Sequence, residues 1–111
     1  MKYACLVYLD EKQPETVQDR ECKAFGDELR SQGHHLGGEA LRPSGTATIV
    51  RVRNGSLAVT DGPYAETKEQ LAGFYLIDAA DLNEAIQIAA RIPPARIGSI
   101  EVRPVRELEP G

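Results

Sequence analysis

The chain has 111 residues, the length of one typical domain, and we predict a single domain over residues 1–111. Apolar residues make up 41% and charged residues 27%, an ordinary globular composition that excludes a disordered or fibrous chain. The net charge of −4 and the scattered Lys and Arg residues argue against a nucleic-acid partner, because binding phosphates requires clustered positive charge. The first apolar run, residues 3–9, is too short for a signal peptide or a membrane span, which predicts a cytoplasmic protein without membrane contact.

Strand and helix patterns follow one another from the start of the chain. Residues 3–9 are rich in aromatic and branched types and predict a strand buried on both faces. Cys22, Phe25 and Leu29 recur at helical spacing and predict an amphipathic helix over roughly 15–32. The two cysteines lack the spacing of a metal or redox site, so we expect both to be reduced thiols in the core.

A second strand pattern runs from residue 34 to 41 and contains Gly37 and Gly38. Adjacent glycines weaken a strand unless a bulge, or the close approach of backbone or ligand, excludes side chains there. We predict both glycines as substrate-binding candidates, with a packing role as the alternative.

His34 and His35 are the only histidines of the chain. Adjacent strand residues point to opposite faces, so at most one of them can join a given pocket, and a histidine metal pair is not expected. We take His35 as a catalytic candidate. His35 and Glu39 would share a face of a regular strand, about 13 Å apart unless the glycines form a bulge.

The strongest local pattern is a β-hairpin around Asn54-Gly55, a pair that favours a type I′ turn. Counting outward from the turn brings four aliphatic side chains to one face, which we expect to be the core face: Val50, Val52, Leu57 and Val59. Arg51 and Arg53 would share the opposite face, either solvated or facing an acidic partner.

The remaining pattern mirrors the first part of the chain. A polar connection leads to a strand over residues 71–78, and Asp81 is a predicted N-cap for a second helix. A final strand over residues 99–105 precedes a tail, 106–111, that we expect to be loose. The order is two strand–helix–strand halves around a hairpin, which predicts an α+β, ferredoxin-like sandwich. Its helix-free face would be bare, and a homodimer is the simplest way to cover it.

Four segments together carry a family likeness: Gly37 to Leu41, Val59 to Gln70, Gly73 to Ile77 and Glu101 to Val105. With these segments the chain resembles the YCII-related family and, within it, the group named for its DGPF motif. The resemblance spans nearly the whole chain and implies a dimeric α+β barrel. Tyr64 replaces the Phe of the motif, and the first helix lacks the His that YCII-like proteins can carry.

The resemblance brings no established reaction. YCII-like proteins have been proposed to be enzymes on the basis of a His and Asp pair in a cleft. Members of the DGPF group are often encoded beside, or fused to, extracytoplasmic-function sigma factors. The resemblance therefore implies a sigma factor as one potential partner and a small molecule as another.

The polar loop over residues 61–69 is the candidate site. Asp61 and Lys68 are catalytic candidates there, and Tyr64 and Glu66 are substrate-binding candidates, because such a cluster can shift pKa values toward acid–base work. The alternative is ordinary turn chemistry, since Asp-Gly-Pro forms turns by itself.

Two functions remain open from the sequence. The first is a small-molecule enzyme that uses Asp61, Lys68 and His35. The second is a non-catalytic module that binds a ligand or a protein such as a sigma factor. No motif for a cofactor or a metal ion is present, so neither is predicted.

Overall fold

The computed structural model describes residues 1–109. The last two residues of the predicted loose tail, 110 and 111, lie outside the described residues. Within 1–109, neither α-helix has the length and hydropathy required to cross a membrane.

A four-stranded antiparallel sheet forms the body of the molecule. Its strands are β1 (Lys2–Leu9), β2 (His35–Ala40), β5 (Gln70–Asp78) and β6 (Ser99–Pro104). They lie side by side in the order β2-β5-β1-β6. The helices α1 (Asp19–Ser31) and α2 (Leu82–Ala90) connect β1 to β2 and β5 to β6. These are the two predicted strand–helix–strand halves, and the fold is α+β and ferredoxin-like, as expected.

The core lies between this sheet and the two helices. Tyr3, Cys5 and Val7 alternate along β1 with half-buried residues, so only one face of β1 is fully buried. The predicted strand buried on both faces is wrong in this respect, because no helix within residues 1–109 covers the other face. Cys5 is a free thiol in the core, as expected, and burial raises its pKa to about 11. Cys22 is also a free thiol but is only half-buried, so its expected place in the core is wrong.

The sequence predicted the start of α2 correctly but not the start of α1. The Asp81 side chain accepts a hydrogen bond from the Glu84 N–H at 2.9 Å, which confirms the predicted N-cap of α2. In contrast, α1 begins at Asp19 rather than near residue 15, and its N-cap residue, Gln18, makes no side-chain capping bond. Without a capping side chain, the pattern did not define where α1 starts.

The predicted hairpin is present as β3 (Thr48–Arg53) and β4 (Ser56–Asp61), a separate two-stranded sheet. Asn54 and Gly55 have φ angles of 52° and 76°, the left-handed values that a type I′ turn requires. The register is also as predicted, with Val50 opposite Val59 and Val52 opposite Leu57.

The expected burial of the hairpin is wrong. Val50 and Val52 are each 61% exposed, Leu57 is 68% exposed and Val59 is 58% exposed. The alternating pattern shows which side chains share a face, but not whether another surface covers that face. In this chain the hairpin does not join the main sheet, so its aliphatic face remains open.

The β2 and β5 backbones approach each other closely at two glycines. A Cβ on Gly38 would lie 2.7 Å from the Phe74 carbonyl oxygen, and a Cβ on Gly73 would lie 2.9 Å from the Glu39 carbonyl oxygen. Both distances are shorter than real Cβ contacts, so only glycine fits at either position without a backbone shift.

We expect Gly38→Ala to lower the free energy of unfolding by about 1–3 kcal/mol, because the added methyl group forces β2 away from β5. Urea unfolding would measure this change. Gly45→Ala is the matched control, since a Cβ there has no atom within 4 Å and its stability should be equal or slightly higher. Equal stability of the Gly38→Ala variant and the wild type would contradict the close approach.

Candidate functional site

A cleft of about 690 Å³ lies between α1 and the β2–β5 side of the sheet. The connection between β1 and α1 forms one wall, with Glu11, Glu15 and Val17 among its lining residues. The short 3-10 turn after α2 contributes Pro94, and Ile97 follows it. The volume falls in the range of sites for small molecules and cofactors.

Three glycines help to form the cleft. Gly38 and Gly73 line it from the sheet, and Gly26 lines it from the buried face of α1. The other buried residues of this face, Phe25 and Leu29, fill the core with their side chains, whereas Gly26 has no side chain and leaves space. A Cβ on Gly26 would meet only the Arg30 Nη1 atom, at 3.9 Å, so the gap is open rather than tightly packed.

Tyr75 and Cys22 bring polar atoms into the cleft from β5 and α1. Tyr75 packs edge-on against Phe25, with ring centroids 5.4 Å apart. Burial raises the pKa of Tyr75 to about 12, and the adjacent Cys22 thiol adds to the increase. Burial likewise raises the pKa of Cys22, and the nearby Asp19 and Glu21 carboxylates raise it further. Both groups therefore remain protonated at neutral pH, so Cys22 is not an activated nucleophile.

The cleft has an acidic border. Six carboxylate residues line it: Asp10, Glu11, Glu15, Asp19, Asp27 and Glu39. Two fixed cations, Lys23 and Arg30, lie among the same lining residues. Both contact Asp27, at 3.5 Å and 2.9 Å. The remaining carboxylates have no cation of the lining to balance them, and the negative charge favours a neutral or cationic ligand.

Glu11 joins two connections of the chain next to the cleft. Its carboxylate accepts hydrogen bonds from the Ser44 N–H at 2.7 Å and from the Ser44 hydroxyl at 2.5 Å. Ser44 begins the 3-10 turn Ser44–Thr46 between β2 and β3. These two hydrogen bonds lower the pKa of Glu11.

His35 lines the cleft, whereas His34 is not among its lining residues. The His34 Nδ1 atom lies 2.8 Å from the Asp78 carbonyl oxygen, and the ring donates to it when Nδ1 carries the proton. The expectation that at most one histidine joins a pocket is confirmed for this cleft.

A bulge at Leu36 changes the faces of β2. The register steps from His35 opposite Ile77 to Gly37 opposite Leu76, which leaves Leu36 without a partner on β5. Glu39 consequently lies opposite Phe74, on the other face from His35. The expected common face of His35 and Glu39 is therefore wrong, because the strand is not regular between them. Of the two predicted glycines, Gly38 lines the cleft and Gly37 does not.

The loop over residues 61–69 lies elsewhere on the chain. None of its four candidates, Asp61, Tyr64, Glu66 and Lys68, lines the cleft. All four are exposed, and Tyr64 is 82% exposed. Among residues 1–109, none of these four side chains forms an ion pair.

Hydrogen bonds account for several other residues of the loop. Gly62 has a φ angle of 111°, and its N–H donates to the Ala47 carbonyl at 2.7 Å, which closes the base of the hairpin. The Thr67 hydroxyl donates to the Glu69 carbonyl, and the Glu69 carboxylate accepts from Ser99 at 2.7 Å. The Gln70 amide donates to two carbonyls of the loop. Thr67 and Glu69 thus have structural roles.

The sequence-based prediction did not single out Gly26, Cys22 or Tyr75 as site residues. Gly26 carried a usable signal, because an isolated glycine on the apolar face of a predicted helix requires a packing or functional reason. In the part of the chain that the structure describes, no group of three His, Cys, Asp or Glu side chains is placed to hold a metal ion.

Comparison with known proteins agrees with this architecture. The model of the YCII-related domain matches residues 1–109. The chain belongs to the YCII-related family. An uncharacterized protein of Rhizobium meliloti (strain 1021) is 40% identical over 120 residues, covering all of this chain and 97% of that protein. The similarity to this relative therefore extends over the whole length of the chain.

We expect the contact between Glu11 and Ser44 to open at low pH. A carboxyl whose pKa is lowered by folding stabilises the fold fully above its unfolded pKa, about 4.3 for Glu, and loses this effect as the pH falls through the folded value. Because the pair is exposed, a local measurement is preferable to global unfolding.

Hydrogen exchange of the Ser44 amide, corrected for intrinsic rates, should show protection that falls between pH 6 and pH 3. The Glu11→Gln variant should remove this pH dependence. The Thr46 amide is an internal control, because it donates to the Pro43 carbonyl at 2.9 Å and has no carboxylate acceptor. Unchanged protection of Ser44 at pH 3 would contradict the expectation.

Proposed function

We propose that this YCII-related protein binds a small, largely apolar molecule of neutral or positive charge in the cleft between α1 and the sheet. The volume of about 690 Å³ suits such a molecule. Val7, Leu9 and Tyr75 supply apolar contact surface, and the carboxylates at the border disfavour anions such as phosphate esters.

Gly26 is the observation that carries this proposal. Glycine inside a helix costs about 1 kcal/mol relative to alanine, and Gly26 lies in the middle of α1. Its surroundings do not demand glycine, because a Cβ would have its nearest contact at 3.9 Å. Gly26 therefore lowers the stability of α1 although no neighbouring atom of the chain requires a glycine there. A ligand that occupies the space beside Gly26 would explain why this position is a glycine.

Catalysis by Asp61, Lys68 and His35 stays a prediction. Of these three, His35 lies at the cleft and is the side chain best placed to exchange a proton with a bound molecule. Tyr75, protonated at neutral pH, also lines the cleft and can donate a hydrogen bond there. We therefore propose His35 as the acid–base candidate if the ligand is a substrate.

A thermal-shift screen against a metabolite library tests the site, with four proteins compared: wild type, Gly26→Leu, Gly26→Ala and Asp61→Asn. A ligand at 100 times its Kd stabilises the fold by about 2.7 kcal/mol. We expect hits for the wild type that Gly26→Leu abolishes, because the leucine side chain occupies the cleft. The shift is measured for each protein against its own ligand-free Tm.

Gly26→Ala is the matched control, since it adds one methyl group and removes the cost of glycine in the helix. Its ligand-free stability should rise by about 1 kcal/mol, and it should keep most hits. Asp61→Asn should keep all hits. Hits that survive Gly26→Leu but disappear in Asp61→Asn would reject the cleft and favour the loop at 61–69.

The charge of the ligand is tested separately. For every hit, an amine and a carboxylate analogue of the same skeleton are compared. Stronger binding of the carboxylate would contradict the proposal that the ligand is neutral or positively charged.

The alternative function, a non-catalytic module that binds a protein such as a sigma factor, is favoured by one observation. The hairpin presents an open aliphatic face, which is typical of a protein-binding surface. Assignment to the DGPF group, which links the chain to such a partner, remains part of this proposal and rests on Asp61-Gly62-Pro63-Tyr64. A purified sigma factor that binds the wild type, with no ligand found in the screen, would favour this second function.

A further inference from the structure

The connection between β1 and α1, residues 10–18, is a weakly anchored part of the cleft wall. It forms no helix or strand, and none of its residues is fully buried. Six of its residues nevertheless line the cleft: Asp10, Glu11, Gln13, Glu15, Thr16 and Val17. The segment therefore covers the proposed ligand site although little of it is packed into the core.

Hydrogen bonds hold this segment to more distant parts of the chain at one place. The Lys12 N–H donates to the Asp10 carboxylate at 2.9 Å and the Gln13 N–H to the Asp10 carbonyl at 3.2 Å, which forms a local turn. Among residues 1–109, only the bonds between Glu11 and Ser44 lead beyond the segment and its junction with α1. None of the ion pairs in this range includes a residue of the segment. Regions held by few, exposed hydrogen bonds open at a low cost in free energy.

The two partners of this contact differ in how firmly they are held. Ser44 lies in the 3-10 turn, where the Thr46 N–H and hydroxyl donate to the Pro43 carbonyl at 2.9 Å and 2.7 Å. Glu11 lies on the segment, and at the other end of the segment Gln18 makes no side-chain capping bond to α1. The contact thus joins a turn fixed by its own hydrogen bonds to a segment with few anchors.

We propose that residues 10–18 form a lid over the cleft and that the contact between Glu11 and Ser44 is the latch that holds the lid closed. When the latch breaks, the gap between the lid and the β2–β3 connection widens, and a ligand enters or leaves there. A closed lid shields the bound ligand from water. This inference rests on the proposed ligand site, because it concerns access to that site, but the lid moves with or without a ligand.

Cys22 provides a probe of the lid that requires no ligand. It lines the cleft close to the end of the lid and is half-buried, whereas Cys5 is fully buried in the core. Two thiol reagents are compared: bulky fluorescein maleimide, which requires an open lid, and small N-ethylmaleimide, which enters the cleft more freely. Mass spectrometry measures the labelling rate of Cys22 with each reagent. The ratio of the two rates cancels differences in thiol ionisation and therefore reports the opening of the lid.

Glu11→Ala removes the latch, and Glu15→Ala is the matched control. Each variant removes one carboxylate of the lid that lines the cleft, but within residues 1–109 Glu15 has neither a hydrogen bond nor an ion pair. We expect the ratio of the bulky-reagent rate to the small-reagent rate to rise about fivefold in Glu11→Ala, because hydrogen bonds to a charged acceptor are stronger than neutral ones. Glu15→Ala should keep the wild-type ratio. Glu11→Gln keeps an acceptor oxygen and should give an intermediate ratio.

Urea unfolding verifies that each variant is folded. If Glu11→Ala fails to fold, Ser44→Ala takes its place; it removes only the hydroxyl and should raise the ratio less. Equal ratios in the latch variant and the wild type would overturn the lid, and so would an equal rise in Glu15→Ala.

The thermal-shift screen separates this inference from the proposed ligand site. Ligand hits that Gly26→Leu abolishes, combined with equal labelling ratios, would reject the lid alone. A raised ratio in Glu11→Ala, combined with an absence of hits, would support the movement of the lid and reject the ligand site.

Discussion

The close pairing of β2 with β5 is the constraint on which the arrangement of this domain depends. At Gly38 and Gly73 the neighbouring backbone leaves no room for a Cβ, so these two positions present no side chain toward α1, whereas Tyr75 of β5 does. With no side chain at these two positions, and with Gly26 on α1 also lining the space, helix and sheet enclose an open cleft. The core is therefore built beside it, from β1, α2, the end of β5 with Ile77, and the remaining residues of α1, such as Phe25 and Leu29.

Features of the fold that depend on local chemistry could be predicted from the sequence. Asn54-Gly55 determined the turn and the full register of the hairpin, and Asp81 marked the start of α2. The prediction failed where the outcome depends on distant parts of the chain. The burial of the hairpin is one such case; the start of α1 was missed for a local reason, because no side chain caps it.

The candidate site was harder to predict because glycines open the cleft and its lining residues are far apart in sequence. The loop at 61–69 attracts attention because its polar residues are adjacent in sequence, yet Thr67 and Glu69 are explained by the hydrogen bonds that hold the loop. The lining of the cleft comes instead from α1, β2 and β5, far apart in sequence. His35 alone links the predicted catalytic residues to this space.

Gly26 also has a consequence for protein engineering. A procedure that selects substitutions for thermal stability would replace a glycine in the middle of α1 early, since better helix formers raise stability and the first methyl group meets no obstacle. Larger replacements would progressively fill the cleft. For the proposed ligand site, stability and binding capacity are therefore in conflict at one position, and stability alone is a misleading guide to a sequence that binds.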